Sequence, residues 1–146
     1  MRNTIVGDFN VCKNAANQFF HVAKWCSDNR DPINFIMNTF YPYAVNVAFA
    51  CELYLKAIMI YRSSQNEFSK GHNLKELFDN LPFFDANQLS QIFAQKYSSK
   101  TLEMFLDENK NTFIDWRYAL EHEVKAEISA FDVFVSILKE YVEKIS

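Results

Sequence analysis

The chain has 146 residues, a formal charge of −3 and an apolar share of 49%, with 15 phenylalanines but only 2 glycines and 3 prolines. That length gives one domain, 1–146, able to bury about two-thirds of its unfolded surface. The composition excludes a disordered chain and argues against turn-rich sandwiches and barrels. It also excludes a general basic surface for nucleic acid, so any RNA contact has to be local.

The opening residues, MRNTIVGDFNVCKN, hold no apolar run of signal-peptide type. A first helix is predicted over about Phe9 to Asp28. There Phe9, Cys12, Ala16, Phe19, Ala23 and Cys26 recur at three- and four-residue steps and make one apolar face. The polar run SDNRDP ends it. INFIMNTFYP fits a short helix or an extended connector, and Pro42 is placed at the start of the next helix, where its missing N–H costs nothing.

That second helix, about Tyr43 to Ser63, is apolar almost all round and belongs in the middle of a bundle. Its AVNVAFACELYLKAIMI run approaches membrane-spanning length. Asn46, Glu52 and Lys56 inside it make a buried protein helix the better reading. Glu52 needs a partner in such surroundings. Lys56 is four residues away on the same face; an arginine from another helix is the alternative.

SSQNEFSKGHN is expected as a loop and LKELFDNLP as a short helix stopped by Pro82. Asp85 with Gln88 has the spacing of a capping box that would open a helix to about Tyr97. Further helical pieces are expected from near Ser99 and from Thr112 to about Glu123. Ser129 with Asp132 has box-like spacing before a last helix to about Ile145. The whole is an all-α chain. Cys12, Cys26 and Cys51 are odd in number and lack close pairing, which points to reduced thiols rather than a disulfide framework or a metal site.

Three stretches together resemble the HEPN domain family. They are NVAFACELYLKAI (Asn46 to Ile58), GHNLKELFDNL (Gly71 to Leu81) and FIDWRYALEH (Phe113 to His122), in the family's order and spacing, with the likeness extending over roughly Asn46 to Ile145. The resemblance implies an up-down helical bundle with short extra helices that dimerises about a two-fold axis. Many such proteins are metal-independent endoribonucleases of toxin or phage-defence type, with a motif of Arg, four to six residues, then His. Arg117 and His122 match it with four intervening residues.

Cleaving RNA without metal needs a base for the 2′-hydroxyl, a cation for the charge developing on phosphorus, and an acid for the leaving 5′-oxygen. Histidine suits either proton role, and arginine offers two parallel donors to phosphate oxygens. Arg117 and His122 lie about 140° apart around a helix, so a dimer axis is needed to bring them to one cleft, and a monomer is expected to be inactive. The catalytic pair is therefore Arg117 and His122, with Glu52 or Glu121 orienting the guanidinium. The alternative is a structural ion pair of Arg117 with Glu52 or Glu121.

Trp116 and Tyr118 fit base stacking or core and interface packing. His72, just before a helix, fits a capping or loop-anchoring role, or an RNA contact. Tyr118 stands where the family usually has a polar residue, and WRYALE also resembles a subgroup with Arg-Tyr-x-x-Glu. The expected function is accordingly a cytoplasmic, cofactor-free homodimeric endoribonuclease acting on RNA, with no membrane or DNA partner. The alternative is a non-catalytic interaction module paired with a nucleotidyltransferase-type antitoxin or another protein.

Overall fold

A helix with apolar residues on every side is stable only where protein surrounds it. The computed structural model, which describes residues 3–110 and 128–146, puts such a helix at its centre. In chain order the elements are β1 (Thr4–Val6), α1 (Phe9–Asp28), α2 (Phe40–Arg62), β2 (Glu67–Ser69), α3 (Leu74–Asp79), α4 (Phe83–Lys96), α5 (Leu102–Asn109) and α6 (Ile128–Ile145). Among the described residues the protein is helical apart from one small two-stranded sheet. α2 is long and apolar enough to cross a membrane, yet 78% of its most apolar stretch is buried within the fold.

α1 runs as predicted from the sequence. Asp8 caps it by accepting from Val11 N–H at 2.9 Å, satisfying one of the donors a helix start leaves open. It packs antiparallel to α2, as Phe9 on Tyr61, Phe19 on Phe49 and Asn17 on Tyr54 show. Buried Ala16, Ala23, Ala50 and Ala57 offer little bulk between neighbouring backbones. α6 runs parallel to α2. Near its start Ile128 and Asp132 meet Tyr43, and near its end Tyr141 is joined to Arg62 through Asp85. Phe93, Phe105, Phe131 and Phe134, from α4, α5 and α6, form one aromatic cluster with ring centroids 4.8–6.4 Å apart, the edge-on and offset spacing such rings prefer.

Several expected boundaries shift for physical reasons. α2 begins at Phe40, so Pro42 sits at its third position, still inside the first turn where no N–H is required. INFIMNTFYP divides into a connector and the first turn of α2. The stretch expected as a loop contains β2, which pairs with β1 in the register Thr4↔Ser69, Ile5↔Phe68 and Val6↔Glu67. Gly7 follows β1 at a close approach, since a Cβ there would lie 2.8 Å from the Phe68 ring. α5 starts at Leu102, capped by the Thr101 side chain on Met104 N–H.

Neither box-like pair is a cap. α4 opens at Phe83, and Asp85, fully buried, accepts from Arg62 and Tyr141. Ser129 lies inside α6, and Asp132 accepts from Ser27 at 2.7 Å and from Tyr43 at 2.6 Å, joining three helices. The carboxylate found hydroxyl donors across the core instead of open N–H groups along its own helix. Tyr43→Phe removes one of those donors and is expected to lower stability by about 1–3 kcal/mol. Urea unfolding checks this, with an unchanged helical circular dichroism spectrum. The segment 111–127, including the predicted helix from Thr112, lies outside the described residues.

Candidate functional site

Glu52 and Lys56 are one turn apart on α2 and both are buried. The Lys56 ammonium donates to Glu52 Oε2 at 3.1 Å. The other carboxylate oxygen, Oε1, lies 3.0 Å from His72 Nδ1. His72 belongs to the turn between β2 and α3. Gly71 makes that turn at φ 109, a backbone region that disfavours any side chain with a Cβ. α3 is capped by Asn73, whose side chain accepts from Glu76 N–H, so His72 has no capping role.

Three facts about this cluster matter chemically. A carboxylate so deeply buried is costly unless paired, and here each oxygen has its own donor. Its lysine partner also lies 5.5 Å from the centre of the Phe68 ring, within range of a cation–π contact. And the Cys12 thiol, which donates to the Leu53 carbonyl at 3.1 Å, is pushed up to about 11, first by burial, with Lys56 opposing and Glu52 adding to the rise. Cys12 is thus a neutral thiol at neutral pH and no nucleophile there. All three cysteines are free, as expected from the sequence.

Glu52 and His72 share a pocket with Ala48, Phe49, Leu74, Asn109 and Lys110, with a volume of 20 Å³, enough for a single water. Asn109 is fixed there by donating to the Phe105 carbonyl at 2.8 Å. Lys110 ends the described stretch, and the next residues lead to Trp116, Arg117, Tyr118, Glu121 and His122, which lie outside the described residues. The chain resumes at Ile128, whose carbonyl faces the Tyr43 hydroxyl at 3.2 Å. The two ends of the intervening segment therefore both rest against α2, at Tyr43 and near Glu52, nine residues or about 14 Å apart along the helix.

Of the expected site residues, the structure brings Glu52 and His72 together. Lys56 takes the partner role for Glu52 that the sequence left open between a lysine and an arginine. Two further acids that join helices were missed, Asp85, which is buried, and Asp132, which is half-buried. Asp85 is held by Arg62 Nε at 3.0 Å, Arg62 Nη2 at 2.9 Å and the Tyr141 hydroxyl. This keeps Arg62 protonated beyond its ordinary range, chiefly through the hydrogen bond to Asp85. Asp132 borders a 140 Å³ cavity lined by Ser27, Lys24 and Asp28 among others. The signal for Asp85 was its place in the row Asp85, Leu89, Phe93, a four-residue apolar stripe that points inward. Among the described residues no cluster of His, Cys, Asp and Glu is arranged to hold a metal.

Comparison with known proteins finds no family model that matches the chain, and no curated protein or solved structure matches it either.

Proposed function

We propose that the chain is a HEPN-type helical domain that works as a homodimeric, metal-independent endoribonuclease of toxin or phage-defence type in the cytoplasm. One observation carries this reading. Two of the three stretches behind the resemblance, the α2 run around Glu52 and the GHNL turn with His72, meet in a hydrogen bond. Lys110, three residues ahead of the third stretch, lies in the wall of the same pocket. The first two stretches, apart in sequence, thus converge on one small region.

In this reading Arg117 supplies the fixed positive charge that meets the developing phosphorane. His122 carries a proton as base or acid. Glu121 or Glu52 orients the guanidinium; each Glu52 oxygen retains a lone pair beyond the one it gives to Lys56 or His72. The 2′-oxygen loses its proton and bonds to phosphorus. The P–O5′ bond breaks, and the 5′-oxygen takes a proton, leaving a 2′,3′-cyclic phosphate and a 5′-hydroxyl. Trp116 and Tyr118 offer faces on which a splayed base can stack. A two-fold pairing of chains brings the arginine of one to the histidine of the other.

The test is RNA cleavage in EDTA. Arg117→Ala and His122→Ala are each expected to lower the rate by about 10²–10³-fold. Expression of the wild type is expected to be toxic, and His122→Ala is expected to relieve it. A wild type that leaves varied RNAs intact, or variants as active as the wild type, would end this reading.

A second reading, a non-catalytic module paired with a nucleotidyltransferase or another protein, is favoured by the α1–α2 connector. Ile33, Phe35 and Ile36 are exposed there. The turn is pinned by Asp31, which accepts from Ile33 and Asn34 N–H, and by Asn34, which accepts from Ile36 N–H, with Phe35 held at φ 61. A stiff apolar knob of this kind suits a partner protein. Co-purification of a partner by a chain with no effect on RNA would favour it.

A further inference from the structure

Three strongly exposed apolar side chains share one tight turn. Ile33, Phe35 and Ile36, exposed to 89%, 71% and 56%, lie in the connector between α1 and α2. We propose that this turn is a docking tip for a lipid surface, which it touches reversibly through these three side chains. The proposal stands apart from RNA cleavage and gives the connector an occupant other than the partner protein of the second reading.

The tip uses up its own backbone donors. Ile33 and Asn34 N–H both donate to the Asp31 carboxylate, and Ile36 N–H donates to the Asn34 side chain. Phe35 N–H donates to the Asp31 carbonyl and Asp31 N–H to the Ile36 carbonyl, each at 2.9 Å. Pro32 has no N–H. From Asp31 to Ile36, then, no N–H is left open. A segment that binds another protein through its main chain keeps such donors available. This turn presents apolar side chains instead, which suits a partner without directional groups, and in lipid an open donor is costly. Phe35 also holds φ 61, a region in which a bulky residue is strained. Strain kept at an exposed position, with no packing to reward it, marks a functional tip.

The surroundings fit the same partner. Trp25 and Tyr41, exposed to 55% and 51%, flank the turn. Trp25 lies near the end of α1 and Tyr41 is the second residue of α2. The two helices are antiparallel, so both rings stand at the connector's end of the bundle. Trp and Tyr favour the headgroup level of a membrane, where one part of the ring is wet. The charged residues from Lys24 to Tyr41 are Lys24, Asp28, Arg30 and Asp31, which sum to zero. A neutral tip on a chain of charge −3 matches zwitterionic headgroups and draws nothing from anionic ones. The contact is shallow, because α2, the described helix apolar enough to span a membrane, is enclosed by protein. No membrane partner was expected from the sequence; only the folded turn gathers these side chains on one tip.

The experiment sediments the full chain with phosphatidylcholine vesicles. Wild type is expected to bind. The double variant Ile33→Ser, Phe35→Asn is expected to bind at least about 10-fold more weakly, since two apolar side chains no longer leave water. Asn accepts a positive φ, so the turn persists and the melting temperature should not fall. Binding should change less than about twofold between about 0.05 and 0.5 M salt, and anionic lipid should not raise it. Tryptophan emission should move to the blue on vesicles, and Trp25→Phe should remove that shift.

A wild type that stays in the supernatant overturns the proposal, as does a double variant that binds as well as wild type. Binding that needs anionic lipid and disappears in salt places the attachment on charged groups elsewhere, and overturns it too. If vesicles leave the wild type in solution while the double variant loses a bound protein or a self-associated form, the turn is a protein contact and the lipid proposal falls. Cleavage of RNA in EDTA, measured separately, decides the ribonuclease reading whatever the vesicles show.

Discussion

Arg62→Ala is expected to destabilise the fold by about 3 kcal/mol, at the low end of what breaking a buried ion pair costs. Asp85 has 1% of its side chain exposed. Without Arg62 its charge stays in the core with the Tyr141 hydroxyl as its remaining strong donor. The loss is at the low end because the Arg62 side chain is 34% exposed, so water already screens part of the interaction and can enter the space left behind. Arg62→Ala also leaves α2 without the cation in its last turn, a smaller effect.

A control separates the cost of an orphaned charge from the net worth of the pair. Replacing Arg62 by Met, Asp85 by Leu and Tyr141 by Phe together removes all the polar partners at once. That triple variant is expected to lie within about 1–2 kcal/mol of wild type, since a buried ion pair roughly breaks even with apolar groups of similar size. Urea unfolding of both proteins at neutral pH measures the difference. An Arg62→Ala protein as stable as wild type would show that Asp85 reaches water or takes up a proton at no cost.

Raising the pH is expected to unfold the protein, with stability falling from pH 9 upward. Burial raises the thiol of Cys51 well above its ordinary value, and it raises the Tyr43 hydroxyl, to which the hydrogen bond to Asp132 adds. Tyr54 is raised mainly by burial. Tyr141 is pushed up to about 12 by burial and by its bond to Asp85. Cys12 is pushed up to about 11. All of these groups are neutral when protonated, and all hold their protons more tightly in the fold than in the unfolded chain.

Their contribution is therefore complete below pH 9, where cysteine and tyrosine are protonated in both states. It declines once the unfolded chain begins to lose protons, near 9.0 for cysteine and 10.0 for tyrosine. The share of Cys12 is gone by about 11 and that of Tyr141 by about 12. Each group that stays protonated costs about 1.4 kcal/mol per pH unit. For the deeply buried Tyr43 and Cys51 alone that is about 3 kcal/mol per unit above pH 10, set against a total stability of about 5–15 kcal/mol for a domain. Urea midpoints between pH 8 and 11 check this. Cys51→Ala is expected to reduce the slope above pH 9, and a midpoint flat to pH 11 would refute the expectation.

Periodicity read α1 to the residue and gave α2 its central place, because both depend on local spacing of apolar side chains. The same spacing rules failed at Asp85 and Asp132. A capping box is a short-range pattern, and these two acids satisfied it on paper while Arg62, Tyr141, Ser27 and Tyr43 supplied better donors from elsewhere in the chain. β1 and β2 were missed for a related reason. Each is three residues long, too short to show alternation, and each exists because the other lies alongside. At the candidate site the need of Glu52 for a partner was legible, since a carboxylate in an apolar run cannot stand alone. That His72 would meet it was not.

The sequence by itself determined that this protein is helical, that α2 is its buried axis and that its cysteines are not paired with one another, because composition and spacing act over a few residues and need no partner. Only the tertiary structure decided which charges are paired. A buried carboxylate takes whichever donor the packing brings within about 3 Å, and that choice is made by residues 20 or more positions away, as with His72 for Glu52 and Arg62 for Asp85.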